Sequence, residues 1–110
     1  MSEEREQILK EFKEAVNMSP GQLEQWLETP DSKEVGMTHE GESEAVGHQS
    51  GRRIIEILRK RKGDYDEGDY SHMRKVVGYV HRHAAQRPRG DVTNTRWRHS
   101  LMNWGHDPLK

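Results

Sequence analysis

The sequence predicts an all-α protein, a compact bundle of about five helices with a long acidic, Gly-rich loop, and three observations carry that expectation. Apolar residues recur at spacings of three and four in several separate segments. Between those segments stand residues that start and stop helices, notably Ser19-Pro20-Gly21-Gln22, Gly63, Pro88 and Gly105. Three Trp and three Tyr give a chain that is only 30% hydrophobic enough large apolar surface for a small core. At 110 residues the chain has the length of one domain, taken here as residues 1–110.

The first helix is expected to begin at Ser2, an N-cap residue whose followers Glu3 and Glu4 suit the positive end of the helix dipole. Ile8, Leu9, Phe12, Ala15 and Val16 then form one stripe. A second helix opens at Ser19, with Pro20 at the first helical position and Gln22 completing a capping box. Its buried face is Leu23, Trp26 and Leu27, and Pro30 bounds it, because the residue before a proline is pushed out of the helical region. From Pro30 to Gln49 the periodicity fades among glycines and acids. This stretch reads as a mobile loop, with one short turn around Asp31 to Glu34. Ser50 is expected to cap a third helix over Gly51 to about Lys62, carrying Ile54, Ile55, Ile57 and Leu58 on one side and Arg52, Arg53, Glu56, Arg59 and Lys60 on the other. A fourth helix from about Asp66 to Arg87 places Tyr70, Met73, Val77, Val80 and Ala84 on its core stripe, with Lys75, Tyr79 and Arg82 pointing away. The last helix, capped by Asn94 or Thr95 and stopped by Gly105, holds Trp97, Leu101 and Trp104.

Composition narrows the function classes. With no Cys there are no disulfides and no thiolate metal sites. No apolar run is long enough to cross a bilayer, and the acidic start is unlike a signal peptide, so the expected location is cytoplasmic, or nuclear in a eukaryote, with no membrane partner. Seven His raise the question of a metal, but His81 and His83 diverge by about 200° on a helix and none stands in a zinc-protease spacing. No nucleophile elbow and no phosphate-cradling Gly loop is present. The reading is therefore a protein that is not an enzyme, with no catalytic residues, no metal and no cofactor.

The charge pattern gives the positive signal. Residues 1–50 hold 4 Lys/Arg against 12 Asp/Glu, a net of -8, and residues 51–110 hold 14 against 7, a net of +7. Opposite halves either pair within the fold or leave the basic half for an anionic partner. Cations interleaved with rings suit phosphates and bases, which nominates Arg52, Arg53, Arg59, Lys60, Lys75 and Arg82 as phosphate contacts and Tyr79 as a stacking or phosphate-bonding group. For Arg52 and Arg53 the expected helix N-terminus adds free backbone amides. The expected partner is DNA, bound with low sequence specificity. The alternative is a protein-interaction module or homo-oligomer in which the charged halves pair between chains.

Three segments carry a resemblance: Ser50-Gly51-Arg52-Arg53-Ile54-Ile55-Glu56-Ile57-Leu58, then His72 to His83 (HMRKVVGYVHRH), then Trp97 to Pro108 (WRHSLMNWGHDP). With Trp26-Leu27 and the Gly-rich loop, they make the chain from about Val16 onward resemble a family of small bacterial and fungal proteins of unknown function. Some fungal members of that family carry a DNA-binding label. The resemblance brings with it no catalytic or base-reading residues.

Overall fold

Capping chemistry sets the helix ends in the computed structural model, which describes residues 3–35 and 46–110. Its elements are α1 (Glu3–Ala15), α2 (Pro20–Leu27), α3 (Pro30–Val35), α4 (Val46–Arg59), a single 3-10 turn (Lys62–Asp64), α5 (Glu67–Ala84) and α6 (Arg96–Asn103). Every regular element among the described residues is helical, so the all-α bundle is what the chain forms. The capping box at Ser19 and Gln22 is present in both directions, and Thr95 caps α6 through its hydroxyl. Gly105 ends the α6 segment at φ +79°, a conformation that favours glycine. Its carbonyl accepts from the amides of Asn17 and Met18, which docks the chain end onto the α1–α2 connection.

The stretch expected to be loop is helical at both ends. Pro30 begins α3 rather than only bounding α2, and α4 starts at Val46, so Ser50 lies inside the helix and does not cap it. The remaining residues of that stretch, 36–45, lie outside the described residues, as does the expected N-cap at Ser2. The early start of α4 has a consequence for Arg52 and Arg53. They stand in its second turn, away from the unsatisfied amides of the helix start.

Helix α1 lies along α5 and α2 along α4, while α6 runs between them, touching α2, α3, α4 and α5. The core where these faces meet includes Phe12, Leu23, Ile54, Ile57, Met73, Val76 and Leu101, all buried. Val77, Val80 and Trp97 are buried as expected, whereas Trp26 is half-buried because its indole N–H reaches a polar group at the heart of the bundle. That group is Asn103, 1% exposed. Its Oδ1 accepts from Trp26 Nε1 at 2.8 Å and from Ser32 Oγ at 2.5 Å, and its Nδ2 donates to the Ser32 carbonyl at 3.1 Å. One side chain thus ties α2 and α3 to α6. Helix α4 closes on the same spot through Gly51, where a Cβ would stand 2.7 Å from the Asn103 carbonyl oxygen.

Some of the opposite charge of the two halves is neutralised inside the fold. Arg59 of α4 pairs with Glu24 of α2 at 3.3 Å, and Arg74 of α5 pairs with Glu4 of α1. Both pairs are exposed and add little stability on their own.

Candidate nucleic-acid interface

The start of α5 organises the basic residues around it. Asp66 is its N-cap and accepts from the Asp69 amide at 2.8 Å, while Asp69 Oδ2 accepts from the Asp66 amide at 3.1 Å. This reciprocal box turns Asp69 inward until its side chain is only 1% exposed. A buried carboxylate needs cations, and it has two: Arg53 Nη2 donates to it at 2.9 Å and Lys60 Nζ at 2.7 Å. Burial pushes the Asp69 carboxyl up, but the bonds from Lys60 and from the Asp66 amide, with the charges of Lys60 and Arg53, outweigh it. The carboxyl is held below its ordinary range.

The seven nominated residues therefore divide. Lys60 is held by Asp69 and Arg59 by Glu24, so both serve the fold's own ion pairs. Arg52 lies in a separate cavity of about 420 Å³, where Glu24 and Glu28 stand with Lys33 and His48. Tyr79 does not point away from the core. Its ring stacks on Trp104 with centroids 4.2 Å apart, and burial raises its hydroxyl's pKa against a bond to Ser100 that lowers it. Lys75 and Arg82 are exposed on one face of α5 with no acid partner among the described residues. Arg53 is shared, because only one of its nitrogens is given to Asp69.

Arg53 and Lys75 meet at a cleft of about 510 Å³ between α4 and α5, lined also by Ser50, Gly68, Ser71 and His72. Among the described residues no carboxylate lines it. Across its floor Ser50 Oγ and His72 Nε2 stand 3.0 Å apart. Burial lowers the pKa of His72, as do the charges of Lys75 and Arg53, against a hydrogen bond of the ring to the Ser50 backbone and the charge of Asp69. Behind it the rings of His72, Trp104, Tyr79 and His83 follow one another in near-parallel planes, with centroid steps of 6.3, 4.2 and 5.2 Å.

Beyond the cleft the same helix stays free of acids. From Tyr70 to His106 the sequence has one acid, Asp91, against seven Lys/Arg. Ser71, Lys75 and Arg82 share a face of α5 over roughly 16 Å. The Arg82 guanidinium folds back over Gly78, where a Cβ would come 3.0 Å from it.

Sequence reasoning missed the cleft because Ser50 and His72 are 22 residues apart and joined only by packing. It missed the burial of Asp69 too, although Asp66-x-x-Asp69 is a capping-box spacing that marks the pair.

The family model for proteins of unknown function, DUF3140, matches residues 11–102. The chain belongs to the DUF3140 family. No curated relative and no solved structure matches it. For a DUF3140 protein, function has to be argued from the site. Among the described residues no helix is long and apolar enough to cross a membrane.

Proposed function

We propose that this DUF3140 protein binds DNA with low sequence specificity, through phosphate contacts on the outer face of α5 and its cleft with α4. The observation that carries the reading is that, among the described residues, Lys75 and Arg82 have no acid partner and no carboxylate lines the cleft, on a long stretch of the chain nearly empty of acids. Phosphate contacts need donors and positive potential, and they carry no sequence information. Arg53, Lys75 and Arg82 are the contacts of choice. Arg52, Arg59 and Lys60 drop out, since none of them lines the cleft, and Arg59 and Lys60 are held by Glu24 and Asp69. Tyr79 supports the site through Trp104 and does not stack on bases. Among the described residues Leu109 is the one large apolar side chain left exposed, which offers an apolar-anchored protein partner little to hold.

A mobility-shift titration over a series of salt concentrations tests this. Three phosphate contacts give a slope of log K against log salt of about -2.7. Replacing Lys75 and Arg82 together by Ala brings it to about -0.9, equally on duplexes of unrelated sequence, in a variant whose circular dichroism is that of the parent. A parent that binds no duplex at low salt ends the reading and returns the interaction module to first place.

A further inference from the structure

The α4/α5 cleft is more specialised than a surface that attracts a DNA backbone needs to be. A backbone phosphodiester has one negative charge and is held from the side by one or two extended cations. Here five polar side chains line one recess: Arg53, Lys75, His72, Ser50 and Ser71. Ser50 is 4% exposed, and its hydroxyl lies against the ring nitrogen of His72. Asp69 is held by Arg53, Lys60 and the Asp66 amide, where it steadies Arg53 and is not among the residues that line the recess, while Asp66 stands at its edge, with Oδ1 3.3 Å from where a Gly68 Cβ would be. We propose that this recess seats a doubly charged phosphate monoester, with Arg53 and Lys75 as its cations and His72 taking up a proton when the phosphate binds.

The proton linkage follows from what surrounds the ring. From α4 it faces Arg53 and the Ser50 hydroxyl, from α5 Lys75 and Asp69, and at the end of α6 the neutral Trp104 ring. Burial first, and then the two cations set against the charge of Asp69, disfavour the imidazolium. A dianion between those cations reverses the balance, so the proton comes from solvent onto the ring and a third positive charge joins the site. Affinity then rises as pH falls through the raised value that the ring has in the complex. Below about 6 the monoester itself takes a proton, and the gain ends. A diester has no second charge and gives a weaker linkage.

The inference deepens the DNA-binding reading and rests on it for the source of the phosphate, a strand's 5′-terminal phosphate; a free phosphorylated metabolite is the other source of the same chemistry. Two measurements on the full chain decide the matter. In the first, the His72 ring resonances are followed through a pH titration with and without inorganic phosphate at fixed ionic strength. The midpoint is expected to rise by about one unit, a roughly tenfold linkage, and the rise is expected to vanish in Lys75→Ala, an exposed substitution that leaves the core untouched. In the second, duplexes of one sequence with 5′-phosphate or 5′-hydroxyl ends are compared, with the phosphorylated ends binding about tenfold tighter in the parent and equally in Lys75→Ala. If phosphate moves His72 but the two duplexes bind alike, or neither binds, the seat stands and its ligand is the free monoester; binding of neither also ends the DNA reading. If both duplexes bind with the expected salt slope while phosphate leaves His72 unmoved, the seat is overturned and the DNA reading survives.

Discussion

Replacing Asn103 by Leu probes the joint on which the bundle closes. The two side chains are close in size, so the substitution removes hydrogen bonds without opening a cavity. Three partners lose their bond: Ser32 Oγ, the Ser32 carbonyl and Trp26 Nε1. Ser32 is fully buried, so its two groups have no water to turn to, and an unsatisfied buried group costs about 1–3 kcal/mol. Trp26 is half-buried and recovers part of its loss from solvent. The expected cost is about 3–5 kcal/mol, a large share of the 5–15 kcal/mol that holds a typical domain. At roughly 4 °C per kcal/mol for a domain of this size, the midpoint of thermal unfolding falls by about 12–20 °C. Ser32→Ala alone, which leaves Asn103 Oδ1 its bond to Trp26, costs about 1 kcal/mol, and the double variant costs less than the two added, since Ser32→Ala removes the hydroxyl that Asn103→Leu would orphan. Calorimetry on the four proteins measures all of this. An Asn103→Leu protein melting within 3 °C or so of the parent would refute the hub, because that is less than the cost of one orphaned group.

Two further outcomes follow from single contacts. Gly51→Ala is expected to destabilise by about 1–2 kcal/mol in urea unfolding although Ala is the better helix former, because its Cβ meets the Asn103 carbonyl at 2.7 Å and the Leu27 methyls at 2.8 and 2.9 Å; Gly21→Ala, with nothing within 4 Å, is expected to be neutral or gain up to about 1 kcal/mol, and a gain at both positions would contradict the packing of α4 on α2 and α6. Because Asp69 is held below the ordinary carboxylate range, its contribution is present above about pH 3.9 and is lost as pH falls through the lower folded value, so the urea midpoint of Asp69→Asn is expected to drop less between pH 5 and 2 than the parent's, and parallel curves would remove Asp69 from the acid response.

How far the sequence could be read varies from residue to residue, with a physical reason in each case. Ser19, Gln22, Thr95 and Gly105 act on neighbours within three or four positions, and local backbone chemistry announced them. The stretch before Gly51 misled because its glycines and polar residues have weak helix propensity, while packing of Gly47 and Gly51 against Asn103 favours helix there. Tyr79 misled for a related reason: helical spacing sets it off the main stripe, and only the arrival of Trp104 turns that side of α5 into an interior.

What the sequence determined by itself is the helical class, the core stripes of α1, α4 and α5 and the segregation of charge, since these depend on period, caps and composition. What only the tertiary structure decided is which charges remain for a partner. A Lys or Arg in the sequence is one more cation; in the fold Lys60 and Arg59 are held by Asp69 and Glu24, and Lys75 and Arg82 are left on α5. The same holds for Ser50 and His72, which share a cleft because α4 and α5 pack at that point. Periodicity records which face of a helix is buried, but pairing between helices is set by how the faces meet.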